Sequence, residues 1–371
     1  MSGRESAPIP ALRMSRPSIG PAELAKVSEA FASGWLGEGP MTAAFERRLA
    51  ERSACRDAVA VNTGTSALHL GLVALGVGPG DEVIVPSFTF LADPMAVLLT
   101  GARPVFADVD PETFNLAPAA VAALITSRTR AILPTDYAGL PADTEALRAL
   151  AGEKVRIVRD AAHSFGSTVR GRAVGTWLGE DLTCLSFDPI KNLTCGEGGA
   201  VLVDDEELAA TLRRKKSLGR SSGAAELELG FRYHMSDINA GIGLAQLERF
   251  DELAAARRRA ARSYDTLLPG VSGVQPLIRD WDQLVPFMYV VRVVNGRRDS
   301  LSRFLRGRGI HAELRYPPNH EHRIFLHDGR PLPVTERLAR ECLSLPLYPD
   351  LSDTDIARVV EAIEAHGSRG D

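Results

Sequence analysis

The chain has 371 residues, more than one compact core normally holds, so two domains or one large domain with a smaller companion are expected. Hydrophobic residues make up 45% of the chain and charged residues 24%, as in an ordinary globular enzyme. The formal net charge of -4 argues against a general nucleic-acid binder, which needs a basic surface.

The four cysteines form no CxxC pair, so neither a zinc knuckle nor a disulfide framework is indicated. The N-terminal segment lacks the apolar core of a secretory signal. No apolar run approaches the ~20 residues that a membrane helix needs. These features predict a cytoplasmic protein with no membrane segment and no bound metal.

The first twenty residues are rich in Pro, Ser and Arg and predict an irregular arm. Residues 21–34 then predict an amphipathic helix that ends at Gly34. A glycine-punctuated loop with an exposed Trp35 follows, and residues 41–53 predict a second helix.

From residue 58 onward, short apolar strands alternate with helices. The predicted strands are 58–61, 81–86, 104–109, 130–135, 155–160, 183–187 and 200–205. This alternation is typical of an α/β protein with a mostly parallel sheet. The chemistry is then expected in the loops that follow the carboxyl ends of the strands.

The second half of the chain is more helical. Residues 241–268 predict one long helix, with the Arg run 257–259 on its solvated face. Beyond about residue 275, a strand, a helix, a loop and a terminal helix predict a small second α/β domain. We therefore expect an arm and a large domain over residues 1–255, and a small C-terminal domain over residues 256–371.

A lysine stands at a crowded bend in SFDPIKNLTCGEGGAVLV. Gly196, Gly198 and Gly199 permit positive φ angles and close backbone approach just after Lys191. If Lys191 is partly desolvated there, its pKa falls below the usual value of about 10.4, and its neutral amine can form a Schiff base with a carbonyl. The plainer alternative is a surface lysine at a strand end.

The segment NTGTSALHL joins a strand to a helix through small residues. Such a turn points free backbone N–H groups and the helix dipole outward, which favours a phosphate. Thr65 and Ser66 would add hydroxyl donors. The alternative is a simple helix cap by Thr63 or Thr65.

Two further segments follow strands. Asp160 ends the strand of VRIVRDAAHSFG and can hold a proton on a heterocyclic nitrogen, with His163 three residues later. Capping of a turn by Asp160 and a structural role for His163 are the alternatives. Phe88 and Phe90 of VPSFTFLAD can stack on a planar ring or pack in the core. A phosphate cradle, an aromatic ring, an acid and an amine together match the needs of pyridoxal 5′-phosphate (PLP).

The chain resembles the DegT/DnrJ/EryC1/StrS family of PLP-dependent aminotransferases over nearly its whole length. The segments that carry the resemblance include SGWLGEGP, NTGTSALHL, GPGDEVIVPSFTF, RDAAHSFG, SFDPIKNLTCGEGGA and MSDINAGIGLAQLERFDE. The resemblance implies fold type I of the PLP-dependent transferases. In this fold, helices flank a central, mostly parallel mixed sheet in the large domain, and a small C-terminal α/β domain follows.

The resemblance also implies residue roles. Lys191 would form the internal aldimine and later shuttle the proton, and Asp160 would bond the pyridine nitrogen. The other cofactor contacts it implies are His163 near the 3′-oxygen, Phe90 on the ring, and Thr65, Ser66 and Ser186 at the phosphate.

One segment departs from the family pattern. Many relatives present an asparagine of GYNYRMS to the phosphate of the neighbouring subunit, whereas GFRYHMS here carries Arg232 in that place and His234 where an arginine is usual. Arg232 could pair with the cofactor phosphate more strongly, or reach a substrate phosphate. The resemblance further implies a homodimer with interface sites, and places Tyr316 and His320 near the sugar.

The implied substrates are nucleotide-linked (dTDP or UDP) keto-deoxysugars, aminated at C3 or C4 with glutamate as donor. The implied cycle is ping-pong through pyridoxamine phosphate (PMP). Within the aminotransferases, keto-inositols and aminohydroxybenzoate-type ring formation stay open as alternatives. A PLP-dependent sugar dehydratase is disfavoured because such enzymes replace the lysine by histidine. A non-catalytic regulator that binds PLP or a sugar is the non-enzyme alternative, although no basic helix-turn-helix pattern supports it.

Overall fold

The computed structural model describes residues 11–220 and 227–368. The first ten residues of the expected arm lie outside the described residues. The helices are α1 Pro21–Ser33, α2 Pro40–Ser53, α3 Gly64–Ala74, α4 Ala92–Leu99, α5 Pro118–Ala122, α6 Thr144–Ala151, α7 Glu206–Lys216, α8 Asp237–Glu248, α9 Phe250–Leu267, α10 Arg298–Gly307, α11 Pro333–Glu341 and α12 Asp353–Gly367.

The strands fall into one large and two small sheets. They are β1 Asp57–Val61, β2 Glu82–Pro86, β3 Arg103–Ala107, β4 Thr129–Ile132, β5 Arg156–Asp160, β6 Thr168–Val169, β7 Arg172–Ala173, β8 Leu182–Ser186, β9 Gly199–Val203, β10 Val274–Pro276, β11 Tyr289–Val293 and β12 Cys342–Leu345.

The seven-stranded sheet has the order β1-β9-β8-β5-β4-β2-β3. Its pairs from β8 to β3 are parallel, whereas β9 runs antiparallel to both of its neighbours, β1 and β8. Strands β2 and β9 are buried along their whole length because helices cover both faces of the sheet. The prediction of an α/β protein with a mostly parallel, mixed sheet is confirmed.

The direction of the strands positions the site. Because β9 alone is reversed in this sheet, the carboxyl ends of β1, β2, β5 and β8 meet at one edge. The loops that leave these ends carry the segments singled out by their sequence. Parallel strands bind ligands in a crevice at this edge.

A three-stranded antiparallel sheet, β10-β11-β12, forms a second core with parts of α9, α10 and α12. The first described part of the arm lies on it, through a bridge between Leu12 and Ile310. Strands β10 and β12 were not predicted. Helix α9 crosses the expected boundary at residues 255 and 256, and the division into two domains stays a prediction.

The prediction of one long helix over residues 241–268 is wrong. Arg249 has φ -110° and ψ 12°, which separates α8 from α9. Its side chain donates hydrogen bonds to the Ser18 carbonyl and to Glu23. Helix α8 packs on α1 and α2, whereas α9 packs on α12, so the break lets the two helices reach different partners.

The placement of the Arg run 257–259 on a solvated face is also wrong for its first member. Arg257 is 2% exposed, whereas the Arg259 side chain is 53% exposed. The guanidinium of Arg257 faces backbone carbonyl groups of two distant loops rather than water. Among the described helices, none combines the length and the apolar character that a membrane span requires.

Candidate active site

A cavity of about 470 Å³ opens at the edge where β1, β2, β5 and β8 end. Small-molecule pockets commonly have volumes of roughly 300–1,000 Å³. Seven residues singled out by their sequence line it: Thr65, Phe90, Asp160, His163, Ser186, Lys191 and Tyr316. The fold thus brings together side chains that are far apart in the chain.

The turn at the start of α3 forms one end of the cavity. Thr63 caps the helix, and its hydroxyl accepts a hydrogen bond from the Ser66 N–H at 3.0 Å. The N–H groups of Gly64 and Thr65 stand in the first turn, where helical N–H groups have no intrahelical acceptor. A Cβ at Gly64 would lie only 2.7 Å from the Cβ of Ser186, so glycine is needed for this turn to approach β8.

The glycine-rich segment after Lys191 packs against the same turn at the start of α3. A Cβ at Gly199 would lie 2.4 Å from the carbonyl oxygen of Thr63, and Gly196 has a φ of +80°. The turn that could hold an anion and the loop that carries the lysine are therefore packed backbone to backbone.

Buried side chains fix the loop of Lys191. The Asn192 amide donates to the carbonyl oxygens of His163 and Val285, both at 3.2 Å. Arg257 donates to the carbonyl oxygens of Ile190 at 3.4 Å and of Lys191 itself at 3.1 Å. The loop of Lys191 is thus held by two buried donors, Asn192 within the loop and Arg257 from helix α9.

The Lys191 side chain is half-buried, with its amine 4.4 Å from the centroid of the Phe287 ring. The pKa of Lys191 is lowered to about 8, because burial, with a smaller contribution from the positive charge of Arg315, outweighs the carboxylates of Asp160 and Asp188, which raise it. A lysine with this pKa has a substantial neutral fraction near neutral pH, as a nucleophilic amine requires.

Asp160 ends β5 and lies at the floor of the cavity. Its Oδ1 accepts a hydrogen bond from the Ala162 N–H at 3.0 Å. Burial raises the pKa of Asp160, while contact with the Asp93 carboxyl, this N–H group and the Lys191 amine lower it. Asp160 is therefore a buried acid whose anion has specific partners.

Aromatic rings line the remaining walls. The His163 ring stacks on Phe287 with centroids 4.1 Å apart, and its Nε2 lies 3.1 Å from the Tyr316 hydroxyl. Burial lowers the pKa of His163 well below its usual range, so the imidazole is neutral. Phe90 is 51% exposed at the mouth, and its ring centroid is 5.5 Å from that of Tyr316.

Four other candidates lie outside the lining of the cavity. Ser66 is buried and its hydroxyl is 2.9 Å from that of Thr63. His320 points its Nδ1 at the Ser87 hydroxyl, 2.7 Å away. Phe88 is 1% exposed and packs on Tyr137. Arg232 is exposed. The carbonyl oxygen of the next residue, Tyr233, accepts a hydrogen bond from the N–H of Asn62, which precedes the turn at the start of α3.

Sequence reasoning missed other residues at the site. Arg315 and Glu313 line the cavity, and they form a loose ion pair at 3.4 Å. The sequence feature that could have pointed to Arg315 is its position directly before Tyr316, which was itself expected near the substrate. Asp93 contacts Asp160 but carries no local signal, because an acidic residue in the first turn of a helix is common.

Comparison with known proteins gives concordant matches. The sequence model of the DegT/DnrJ/EryC1/StrS aminotransferase family matches residues 17–364. The aminotransferase TlmJ from Streptoalloteichus hindustanus is 39% identical, with a TM-score of 0.90, over 96% of this chain and 98% of that chain. DesI, crystallised in the presence of its TDP-sugar product, is 34% identical, with a TM-score of 0.90, over 97% and 94% of the two chains. Spr1654 from Streptococcus pneumoniae, solved in PLP- and PMP-forms, is 29% identical, with a TM-score of 0.90, over 96% and 98%.

Proposed function

Because the chain belongs to the DegT/DnrJ/EryC1/StrS aminotransferase family, we propose that it uses PLP to move an amino group from glutamate to a nucleotide-linked keto-deoxysugar, at C3 or C4 of the sugar. The observation that carries the proposal is the cavity in which a lysine of lowered pKa faces a buried carboxyl group and the first turn of a helix.

The residues at the closed end fit a phosphate group. The first turn of α3 offers the N–H groups of Gly64 and Thr65, and the hydroxyl of Ser186 lies against this turn. An anion is stabilised there by the helix dipole and by N–H donors that lack an intrahelical acceptor. We assign the phosphate to these groups and to the hydroxyl of Thr65.

The residues across the floor fit a pyridine ring. Asp160 would face the ring nitrogen, and Phe90 is sufficiently exposed at the mouth to cover one face of the ring. His163 is neutral and hydrogen-bonded to Tyr316, so it can interact with a polar substituent of the ring without adding charge. Lys191 would hold the aldehyde carbon covalently.

When bound, PLP accepts the electron pair left at the reacting carbon and carries the amino group from donor to acceptor. Asp160 keeps a negative charge opposite the ring nitrogen and so favours its protonated form. Once its amine is free, Lys191 can take a proton from the reacting carbon and return one, since its pKa of about 8 suits both roles near neutral pH.

The open end of the cavity suits an anionic substrate. Arg315 lines it, its side chain is 16% exposed, and its ion pair with Glu313 is long enough to exchange for a better partner. Guanidinium groups bind carboxylates and phosphates in a bidentate manner. This charge fits the carboxylates of glutamate or the phosphates of a nucleotide sugar, and DesI was crystallised with a TDP-sugar.

A homodimer is part of the proposal. Arg232 does not line the cavity of its own chain, and its exposure leaves it available to the phosphate of a second copy. Large apolar side chains are also exposed along the N-terminal helix and the loop after it: Leu24, Phe31, Trp35 and Leu36. A contact surface between subunits would cover them.

The test is a substrate panel with mass detection of the aminated product. It includes dTDP- and UDP-linked 3-keto and 4-keto sugars and a keto-inositol, each with glutamate or glutamine as donor. We expect an aminated nucleotide sugar with glutamate, and none from Lys191→Ala. Amination of the keto-inositol alone would show that the substrate is a cyclitol and not a nucleotide sugar. Loss of water from the sugar without amination would refute transamination.

A further inference from the structure

A second carboxyl group lies behind Asp160, away from the cavity. Asp93 stands in the first turn of α4 and is 0% exposed. Its Oδ2 accepts hydrogen bonds from the hydroxyls of Thr89 at 2.6 Å and Thr135 at 2.5 Å. Its Oδ1 is also buried, and no hydrogen-bond donor reaches it within the described residues.

The carboxyl groups of Asp93 and Asp160 are near enough to influence each other's ionisation. Thr135, which binds Asp93, also forms a β-bridge with Asp160. Burial raises the pKa of both carboxyl groups, and the charge of Asp160 raises that of Asp93 further. By contrast, the contact with Asp93 lowers the pKa of Asp160, as does the Lys191 amine.

We propose that Asp93 is a positioning residue that stays protonated at neutral pH and donates a hydrogen bond from Oδ1 to the carboxylate of Asp160. Two carboxyl groups in contact and away from water cannot both be ionised, so the pair shares one proton. Oδ2 already accepts from two hydroxyls, which leaves Oδ1 as the oxygen that carries the proton.

The other ionisable groups near the pair agree with this assignment. Burial, and then the charges of the two aspartates, raise the pKa of the Cys184 thiol, so Cys184 stays neutral. Burial also raises the pKa of Tyr316, as do both aspartates. Lys191 is the basic residue next to the two aspartates. The charge of Asp160 raises the pKa of Lys191 more than the charge of Asp93 does.

The consequence rests on the proposed function. A neutral acid behind Asp160 leaves one negative charge facing the ring nitrogen of PLP, fixes the plane of that carboxylate and limits its basicity. Hydrogen bonds to an ionised carboxylate are among the stronger ones in proteins. Asp93 would therefore act on the reaction through Asp160, without touching the cofactor.

The decisive measurement is infrared spectroscopy of the protein without cofactor at pH about 8. Asp136 is another fully buried aspartate, and burial raises its pKa to about 6, so it is mostly ionised at this pH and serves as a control. A protonated carboxylic acid has a carbonyl band separate from those of carboxylates and amides. We expect this band in the wild type and in Asp136→Asn, but not in Asp93→Asn. A wild type without the band, or an unchanged band in Asp93→Asn, would overturn the proposal.

A kinetic comparison tests the role of the hydrogen bond. The amide of Asp93→Asn can still donate to Asp160, whereas Asp93→Leu cannot, and Asp93→Ala is a smaller variant without a donor should the leucine prevent folding. We expect turnover to fall about tenfold in the Leu or Ala variant and to be restored mostly in the Asn variant. Equal losses in all variants would refute the positioning role. Because the infrared measurement needs neither PLP nor substrate, its outcome does not depend on the proposed function.

Discussion

The ionisation of Lys191 gives the sharpest quantitative prediction. Burial lowers its pKa from the usual 10.5 to about 8. At pH about 7.5, a quarter of the amine would then be neutral, against about 0.1% for an unperturbed lysine. If the neutral amine is the form that attacks PLP, this shift raises the fraction of lysine in the attacking form about 200-fold at that pH.

The assay is rapid mixing of the cofactor-free protein with PLP between about pH 6 and pH 11, following the absorbance band of the lysine-bound cofactor. We expect the second-order rate constant to rise with pH and to level off above a midpoint near 8. Lys191→Ala, in which binding is followed by fluorescence, reports the pH dependence of non-covalent binding and serves as the control.

A second variant tests the cause of the shift. The positive charge of Arg315 lowers the pKa of Lys191, so Arg315→Met should move the midpoint to higher pH. A wild-type midpoint near 10 would refute the argument that burial activates the amine. A midpoint near 8 that does not move in Arg315→Met would leave burial as the cause and remove the part assigned to Arg315.

Two further predictions concern more distant contacts. Arg257→Ala should lower the free energy of unfolding in urea by about 3 kcal/mol, because it empties a buried site and unpairs the carbonyl groups behind Lys191. The half-exposed Arg259→Ala is the matched control, with an expected loss of about 0.5 kcal/mol, and equal losses would contradict the buried clamp. Co-expressed Lys191→Ala and Arg232→Ala chains should regain about a quarter of wild-type turnover if Arg232 completes the partner's site. If the co-expressed chains are no more active than the more active of the two single variants, Arg232 does not complete the partner's site.

The part of the site that the sequence predicted is the part carried by local patterns. Lys191, Asp160 and Thr65 each follow a short apolar run, and parallel strands bring such positions to one edge. The turn that carries Thr65 also needed glycine at a close backbone approach, which the sequence shows directly. Alternation and turn residues therefore suffice to predict this edge of the sheet.

The part that the sequence did not predict depends on contacts between distant segments. Arg257 belongs to a polar-looking run, and only the packing of α9 against the loops around residues 190 and 286 turns it inward. His320 and Tyr316 belong to one loop, but Tyr316 enters the cavity whereas His320 binds Ser87. No periodicity distinguishes the two, because the conformation of the loop decides which side chain faces inward.

The environment of Asp93 depends on the order of the strands in the sheet, which a local sequence pattern does not reveal. Thr89 follows β2, Thr135 follows β4 and Asp160 ends β5, and these three strands are neighbours in the sheet. Asp93 lies where their ends converge, so burial and the charge of Asp160 both favour its neutral form. Burial likewise favours the neutral forms of His163 and Lys191. Burial raises the pKa of Asp160 as well, but its contacts stabilise the anion: an N–H group, the Lys191 amine and, as we propose, the proton of Asp93. An anion supported in this way is suited to holding one proton on a ring nitrogen, and ionisation of Asp93 behind it would place a second anion that competes for that proton.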